Sequence, residues 1–470
     1  MKKILIVGLD GLQMNQINHL QTPNLNKFKN NGFSFENHHS TFPTVTRSNA
    51  ASIVTGVNPG THGIVGNTMV FRDYDSEIIL PVFYSEMLDL YNRTGEILLV
   101  PSLSEILSDN GLSFMVLNSG SSGNAIIQNT AIIKNKQTTL HRDINLDKNE
   151  YSNLPDSIHE WPEQNIPDYN STNHIINILS DLEEDNLSDV SIIWFDEPDK
   201  SQHNFGLNVE ESNKALKHVD NLFGKIIEFL DQNSLDPTIM LVSDHGYSRI
   251  TEVVDIQKEL QANFPGYLFA ENGGSFLVYT KKDQIFDPIL IHEIISKPWA
   301  GPIIAGSNKI SINGIHNYDL FAKSGKRNPD LFVSMNWEKL HNLKNIEGQV
   351  YSTSLKKGLG NHGSVSPQEI HNSLVIGGKE IKVNQGTFLP SSNIDVLPTI
   401  LTLLDIGIPK HLEGRVLFEC LDNNSSNIND EFDKLNFPLT TRLHNGEYIQ
   451  NIHLSIYKNF KYLDFASVEK

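Results

Sequence analysis

The stretch Ile4-Leu5-Ile6-Val7-Gly8-Leu9-Asp10-Gly11 decides how the chain is read. Ile4 to Val7 form a short, mostly β-branched apolar run, the pattern of a buried strand. An acid follows at once. The pattern recurs twice: Ser191–Phe195 (SIIWF) leads to Asp199, and Ile239–Val242 leads to Asp244 and His245. In an open parallel sheet, ligands bind beyond the carboxyl ends of the strands. Three acids placed there converge on one crevice. Asp199 and His203 are four apart, so a helix starting in their loop presents both on one face. A carboxylate and an imidazole at that spacing suit a zinc-like ion, and Asp244-His245 adds two donors. Taken singly, each Asp reads equally as a turn or cap residue, and each His as a surface or loop residue. Their joint placement at strand ends is what points to metal.

Helical patterns alternate with these strands, which predicts an α/β fold with a mainly parallel sheet flanked by helices. Residues 22–32 (TPNLNKFKNNG) read as a helix, with Thr22 as cap, Pro23 in the first turn and Gly32 as stop. Residues Ser48 to Thr55 read as a second helix ending at Gly56. Phe114–Leu117 reads as a strand. A long helix carries Val209, Leu216, Val219, Leu222, Phe223, Ile226 and Leu230 near helical spacing. Residues 128–178 are polar and read as an irregular insertion. The runs GGSFLVY and DLFVSM within 250–360 read as antiparallel strands. Residues 392–404 return to a helix with Pro398 early in it. The expected organisation is a discontinuous catalytic core, 1–250 and 360–420. A cap-like subdomain (250–360) is inserted in it, and a C-terminal extension (420–470) opens on a turn-rich linker and ends in a hairpin.

The chain has 470 residues, with 37 Lys+Arg against 56 Asp+Glu, a balance of 37 − 56 = −19. Such a balance disfavours a nucleic-acid polymer as partner, because a polyanion needs a basic footprint. It leaves a small anionic substrate open, since bound cations reverse a local field. Cys420 is the one cysteine, so no intrachain disulfide forms. No run reaches the roughly 18 apolar residues of a membrane helix. Lys2 and Lys3 precede too short an apolar run for a signal peptide. The expectation is a soluble cytoplasmic protein with no membrane partner and an unassigned oligomeric state.

A second constellation is Thr41–Gly56, TFPTVTRSNAASIVTG. Thr46 stands just before a helix start, where free N–H groups and a partial positive charge favour phosphate. A hydroxyl there is either a helix cap or a nucleophile activated by a divalent cation. Other phosphate and hydrolase signatures are missing: there is no G-x-x-x-x-G-K-[ST], no G-x-G-x-x-G after the first strand and no G-x-S-x-G.

The ordered set resembles the alkaline phosphatase superfamily, and within it the type I phosphodiesterase / nucleotide pyrophosphatase group. It runs from Asp10 in GLDG, through PTVTRSN, IVTG, PGTHGIVGN, PDKSQH and SDHG, to His362 in GNHG, and closes on NIDVLPTILTLLDIGIPKHLEGRVL. It covers most of the first 420 residues. The resemblance implies an alkaline-phosphatase-like core, a nucleophile at Thr46 rather than Thr44, and a phosphoryl-oxygen donor at Asn67. It implies two divalent metal ions, one on Asp199, His203 and His362, the other on Asp10, Asp244, His245 and the Thr46 oxygen. Ligand type points to zinc, with manganese open for mixed His/Asp sites. Gln202 stands where the family has glycine. Arg47 stands where many nucleotide-cleaving members carry a phenylalanine that holds the base, while Trp194 matches an aromatic that stacks on it. Arg47 would then favour a substrate with an extra acidic group. Arg47 as an exposed helix-start residue and Trp194 as a packing residue remain alternatives. The sulfatase motif is broken at Thr41 and Val45, whereas phosphonoacetate hydrolases share the threonine and metal pattern.

The expected activity is hydrolysis of a phosphodiester or pyrophosphate bond of a small phosphorylated molecule through a covalent phosphothreonine. Asn67 and an amide near Thr46 would hold the developing charge. The alternatives are a phosphomonoesterase, phosphonate hydrolase or phosphotransferase on the same site, and a non-catalytic relative that binds anions or a partner.

Overall fold

The computed structural model describes residues 2–134, 136–144, 158, 160–182, 187–307, 314–341, 347–422, 428–443 and 446–470. Its centre is a sheet of eight strands among the described residues: β1 (Ile4–Leu9), β2 (Phe33–Phe35), β3 (Phe114–Asn118), β4 (Thr138–Leu140), β5 (Val190–Phe195), β6 (Thr238–Val242), β7 (Leu374–Gly377) and β8 (Gln385–Thr387). Their order across the sheet is β8-β2-β7-β6-β1-β5-β3-β4. β1 lies between β5 and β6, parallel to both, with Val7 opposite Ile193 and Leu241. β7 is the exception, antiparallel to both its neighbours.

Alternation along the strands builds two cores. Leu5, Val7, Leu9, Ile193, Phe195, Ile239 and Leu241 face one side, where they meet Leu25, Ile175 and the long helix. Ile4, Ile6, Ile192, Trp194, Met240 and Val242 face the other, against Ile53, Val54, Leu103, Leu397 and Leu401. Helices thus cover both faces, as the strand-helix rhythm predicts. Full burial of each large aliphatic side chain contributes roughly 1.5–3 kcal/mol, so the central strands hold the crevice rigidly.

The helices differ from expectation in detail. Pro23–Asn31 is helical, but the Thr22 hydroxyl donates to the Gln16 carbonyl rather than capping it. The second helix is Thr46–Thr55, beginning two residues earlier than Ser48 and ending at Gly56, whose φ of 65° is left-handed. The long helix is Glu210–Gln232, with Val209 just before it as the cap residue. Pro398 is the third residue of the helix Val396–Leu403.

Residues 128–178 are more regular than their composition suggests. Thr138–Leu140 joins the main sheet parallel to β3, and Tyr169–Asp181 is a helix packed on Glu210–Gln232. Positions 145–157 and 159 lie outside the described residues. The runs at Ser275–Thr280 and Leu331–Met335 are antiparallel strands, paired in a five-stranded sheet with Tyr267–Glu271 and Ala300–Ala305. Of the expected linker after Cys420, positions 423–427 lie outside the described residues. The tail then forms three antiparallel strands, Asp433–Leu443, Gly446–Tyr457 and Phe460–Glu469, and ends in the expected hairpin, with Tyr457 opposite Phe460. It is tied to the core by the buried pair His39 and Asp464, Nε2 to Oδ1 2.9 Å, and by Tyr462, whose hydroxyl donates to Asp395 Oδ2 at 3.1 Å.

Candidate active site

Asp10, Asp199, Asp244, His245 and His362 meet at the carboxyl ends of β1, β5 and β6. Asp10 is the first residue after β1, and its Oδ2 accepts the Trp194 indole N–H at 3.3 Å. Asp244, in the loop after β6, accepts the Gly11 N–H on Oδ1 at 3.1 Å. Each carboxylate is therefore held by one oxygen. The other oxygens, Asp10 Oδ1 and Asp244 Oδ2, are buried and without a hydrogen-bond partner. Both face His245 Nε2, at 3.6 and 3.1 Å.

Asp199 opens the short helix Asp199–Phe205, which brings His203 one turn on to 3.4 Å, Nε2 to Asp199 Oδ1. His362 follows Gly360–Asn361, a two-residue strand paired with Ser248 and Arg249. Its Nε2 lies 3.2 Å from His203 Nε2 and 3.5 Å from Asp199 Oδ1. Tyr247, two residues after His245, donates its hydroxyl to Asp199 Oδ1 at 2.5 Å.

The imidazoles are oriented alike. Nδ1 of His203 lies 3.1 Å from the Gly360 carbonyl, that of His245 3.1 Å from the Gly246 carbonyl, and that of His362 2.8 Å from the Thr44 carbonyl. A carbonyl only accepts, so each Nδ1 carries a proton, and in the neutral imidazole each Nε2 then turns a lone pair inward. Metal-ligating histidines are oriented in this way. The His245 and His362 rings stack with centroids 3.6 Å apart, so the two groups of donors adjoin. Donor atoms of Asp10, Asp244 and His245 lie within 4.8 Å of one another, as do those of Asp199, His245 and His362. Orphaned carboxylate oxygens and converging lone pairs are a donor set that fits divalent cations.

The electrostatics agree. Burial, then the charges of Asp244 and Asp199, push the Asp10 carboxyl well above its ordinary range. Burial and the neighbouring His245 and His203 drive the His362 imidazole well below its own. His245 goes the other way, because Asp244 outweighs its burial. A crowded set of buried like charges is costly alone and is relieved by a cation.

Thr46 is the first residue of its helix, and Val45 rather than a hydroxyl residue occupies the cap position. Thr44, Thr46 and Ser48 are thus not capping groups. The Thr44 hydroxyl donates to the Ser364 carbonyl at 2.8 Å. Thr46 is 7% exposed, with Oγ1 3.3 Å from His245 Nε2. Asn67 stands opposite: its Oδ1 accepts the Arg47 N–H at 3.0 Å, which leaves Nδ2 as its donor. The amide after Thr46 is therefore committed to Asn67. Asn272 Oδ1 in turn accepts the Asn67 N–H at 2.6 Å and the Thr68 N–H at 3.0 Å.

A cleft of about 670 Å³ opens from Asp10, Thr46 and Asp199 past Arg47 and Phe83 to Arg142 and Gln164. Arg47 lines it, with Cζ 5.3 Å from the Phe83 ring centre. Trp194 does not line it. It is 1% exposed and packs against Gly8, where an added Cβ would come within 1.9 Å of the indole. The expected base-stacking role gives way to packing and to orienting Asp10. Tyr247, Asn272 and Asn393 were not anticipated. Asn393 Nδ2 donates to the Asp244 carbonyl at 2.8 Å and to Asn49 Oδ1 at 3.0 Å, linking the loop after β6 to the helix Thr46–Thr55. The only sequence signal for it is its place in the closing segment NIDVLPTI.

Trp194→Phe is expected to weaken metal affinity by roughly 10- to 100-fold, the usual cost of losing a group that orients a ligand. Competition with a chromogenic chelator measures this, and unchanged affinity would show that the indole bond does not orient Asp10.

A mainly parallel sheet with a hydroxyl and clustered acids and imidazoles at its carboxyl edge is an alkaline-phosphatase-like α/β fold. Murine ectonucleotide pyrophosphatase / phosphodiesterase 5 shares it, with a TM-score of 0.66 at 16% identity over 90% of this chain and 100% of that one. An inactive form of that protein, solved in complex with AMP, superposes equally well at TM-score 0.66. The sequence profile of type I phosphodiesterase / nucleotide pyrophosphatase matches residues 4–292, and the chain belongs to that family. Among curated relatives, ectonucleotide pyrophosphatase/phosphodiesterase family member 7 of Rattus norvegicus is 23% identical over 272 residues, 57% of this chain and 55% of its own. The bis(5'-adenosyl)-triphosphatase of Pongo abelii is 23% identical over 273 residues, 53% and 48% of the two chains. The chain spans about half the length of the curated relatives it matches. Among the described residues no helix is long and apolar enough to cross a membrane.

Proposed function

We propose that the protein is a metal-dependent hydrolase that cleaves a phosphodiester or pyrophosphate bond of a small phosphorylated molecule through a phosphothreonine at Thr46. The observation that carries this is the buried Thr46 hydroxyl, 3.3 Å from His245 Nε2 beside two orphaned carboxylate oxygens. Asp199, His203 and His362 would hold one ion, and Asp10, Asp244, His245 and Thr46 the other. Their mixed carboxylate and imidazole donors favour zinc, with manganese as the alternative. Bound there, the ions would lower the pKa of the hydroxyl and screen the negative charge of the phosphoryl group.

The chain's own groups do the rest. Thr46 Oγ1 gives its proton to solvent and bonds to phosphorus as the bond to the leaving oxygen breaks; that oxygen departs with the electron pair and takes a proton from solvent. Asn67 Nδ2, its partner oxygen already tied to Arg47 N–H, donates to a phosphoryl oxygen as charge builds. Water then cleaves the Thr46 ester and restores the hydroxyl.

A panel of p-nitrophenyl diester, monoester, phosphonate and sulfate, each assayed with zinc and with manganese, tests the reaction class. The diester is expected to have the highest kcat/KM. Preference for the monoester or the phosphonate would move the protein to that class, and no turnover with either metal would refute an enzymatic role.

A further inference from the structure

The Arg47 guanidinium is the unusual charge in the cleft. Among the described residues its side chain makes no hydrogen bond and no ion pair, and its Nε is buried without a partner. The guanidinium lies over the Phe83 ring, with Cζ 5.3 Å from its centre. The other cations that line the cleft are engaged. Lys200 pairs with Asp168 at 2.7 Å and Asp196 at 3.2 Å. Arg142 donates to the Pro162 carbonyl at 3.1 Å and to the Ser171 hydroxyl.

Arg47 is anchored through its main chain. Its backbone N–H is fixed on Asn67 Oδ1 at 3.0 Å, and the next residue back is Thr46. The acids that act on it electrostatically are Asp10, Asp199 and Asp244. All three belong to the donor groups described above. With divalent cations on those carboxylates, Arg47 is left without a counter-charge. Arg47 is half-buried, with Nε buried and unpaired and the residue lining the open cleft, and an anionic ligand with a planar pair of oxygens suits such a guanidinium best.

We propose that Arg47 is a specificity-determining residue that holds a second anionic group of the substrate, a carboxylate or a phosphoryl group, close to the phosphorus attacked by Thr46. The substrate class is then a small phosphate ester or anhydride with an acidic substituent one or two bonds from the scissile phosphorus. This rests on the assignment of Thr46 as nucleophile, and goes beyond it by naming what the rest of the substrate carries.

Three non-hydrolysable probes separate the possibilities: methylphosphonate, with one anionic group; phosphonoacetate, which adds a carboxylate; and methylenediphosphonate, which adds a phosphoryl-type group. Inhibition constants are measured on the zinc-loaded full chain against a p-nitrophenyl diester, and binding is checked by calorimetry. Arg47→Met keeps the side-chain stem over Phe83 and removes the charge; Arg47→Lys keeps the charge and removes the fork. Arg47→Met is expected to weaken the better of the two doubly anionic probes roughly 10- to 100-fold more than methylphosphonate, as loss of a charged hydrogen bond does. Arg47→Lys should restore part of that difference. The probe with the larger differential loss identifies the second group as carboxylate or phosphoryl. Equal weakening of all three probes, or of none, overturns the proposal. Diester turnover that persists under either of those results leaves the hydrolase assignment standing, so the two fail separately.

Discussion

Thr46→Ala is expected to lower kcat for a p-nitrophenyl phosphodiester by at least about 10³-fold while metal content stays near that of the parent chain. The expectation follows from where the hydroxyl sits. Thr46 is buried at the start of its helix, with Oγ1 3.3 Å from His245 Nε2. Its backbone is held from the following residue by the bond from Arg47 N–H to Asn67 Oδ1. Losing a hydroxyl therefore removes the proposed attacking oxygen without moving the helix. The protein donors, Asp10, Asp199, Asp244, His203, His245 and His362, all remain. Thr46→Ser should recover much of the rate, because it returns the oxygen without the methyl group. Mass spectrometry of a rapidly quenched reaction should find the phosphoryl group, still carrying its second ester group, on Thr46 in the parent chain and no such adduct in Thr46→Ala. Near-normal turnover by Thr46→Ala would remove Thr46 as nucleophile.

The second large effect concerns the ligands. Asp199→Asn and His362→Ala are each expected to lower bound metal from two ions per chain to one, and turnover by at least about 10²-fold. Asp199 Oδ1, His203 Nε2 and His362 Nε2 stand 3.2 to 3.5 Å from one another. Three donors that close together leave no substitute when one is removed. Asp199→Asn keeps the shape and the Tyr247 contact but removes the charge, so its loss of metal is not a folding defect. Elemental analysis and an unfolding curve on the same preparation measure both. Full metal content with parental turnover in both variants would show that these residues hold no ion.

Much of this site is legible in the sequence because it lies on local patterns. Strand, acid and short helix are adjacent along the chain, so Asp10, the pair Asp199 and His203, and the pair Asp244 and His245 are placed by strand ends and helical spacing alone. His362 is different. It reaches the site by pairing Gly360–Asn361 with Ser248–Arg249, a contact over more than a hundred residues that no local pattern records. Trp194 shows the limit most clearly. An aromatic residue near a strand end can face the ligand or the core, and the choice depends on which face carries Ile192 and Val242. Thr138–Leu140 is too short and polar to read as a strand, and acquires that state from β3. Arg47 was legible as a departure, but its lack of a partner is visible only in three dimensions.

The imidazoles and carboxylates are anchored by groups from segments as distant as Gly11, Thr44, Trp194, Gly360 and Asn393. A site assembled from so many segments exists only in the folded chain, so any ion it holds is bound by the native state and not by the unfolded one. Such linkage adds about 4.1 kcal/mol to folding stability for one ion at a thousand times its Kd. It also removes the penalty of keeping Asp10 and Asp244 together in a dry interior. The catalytic centre thus doubles as a keystone. If the proposed ions bind there, metal supply would set the lifetime of the folded chain as well as its rate, and scarcity would remove the molecule before it merely slowed the reaction.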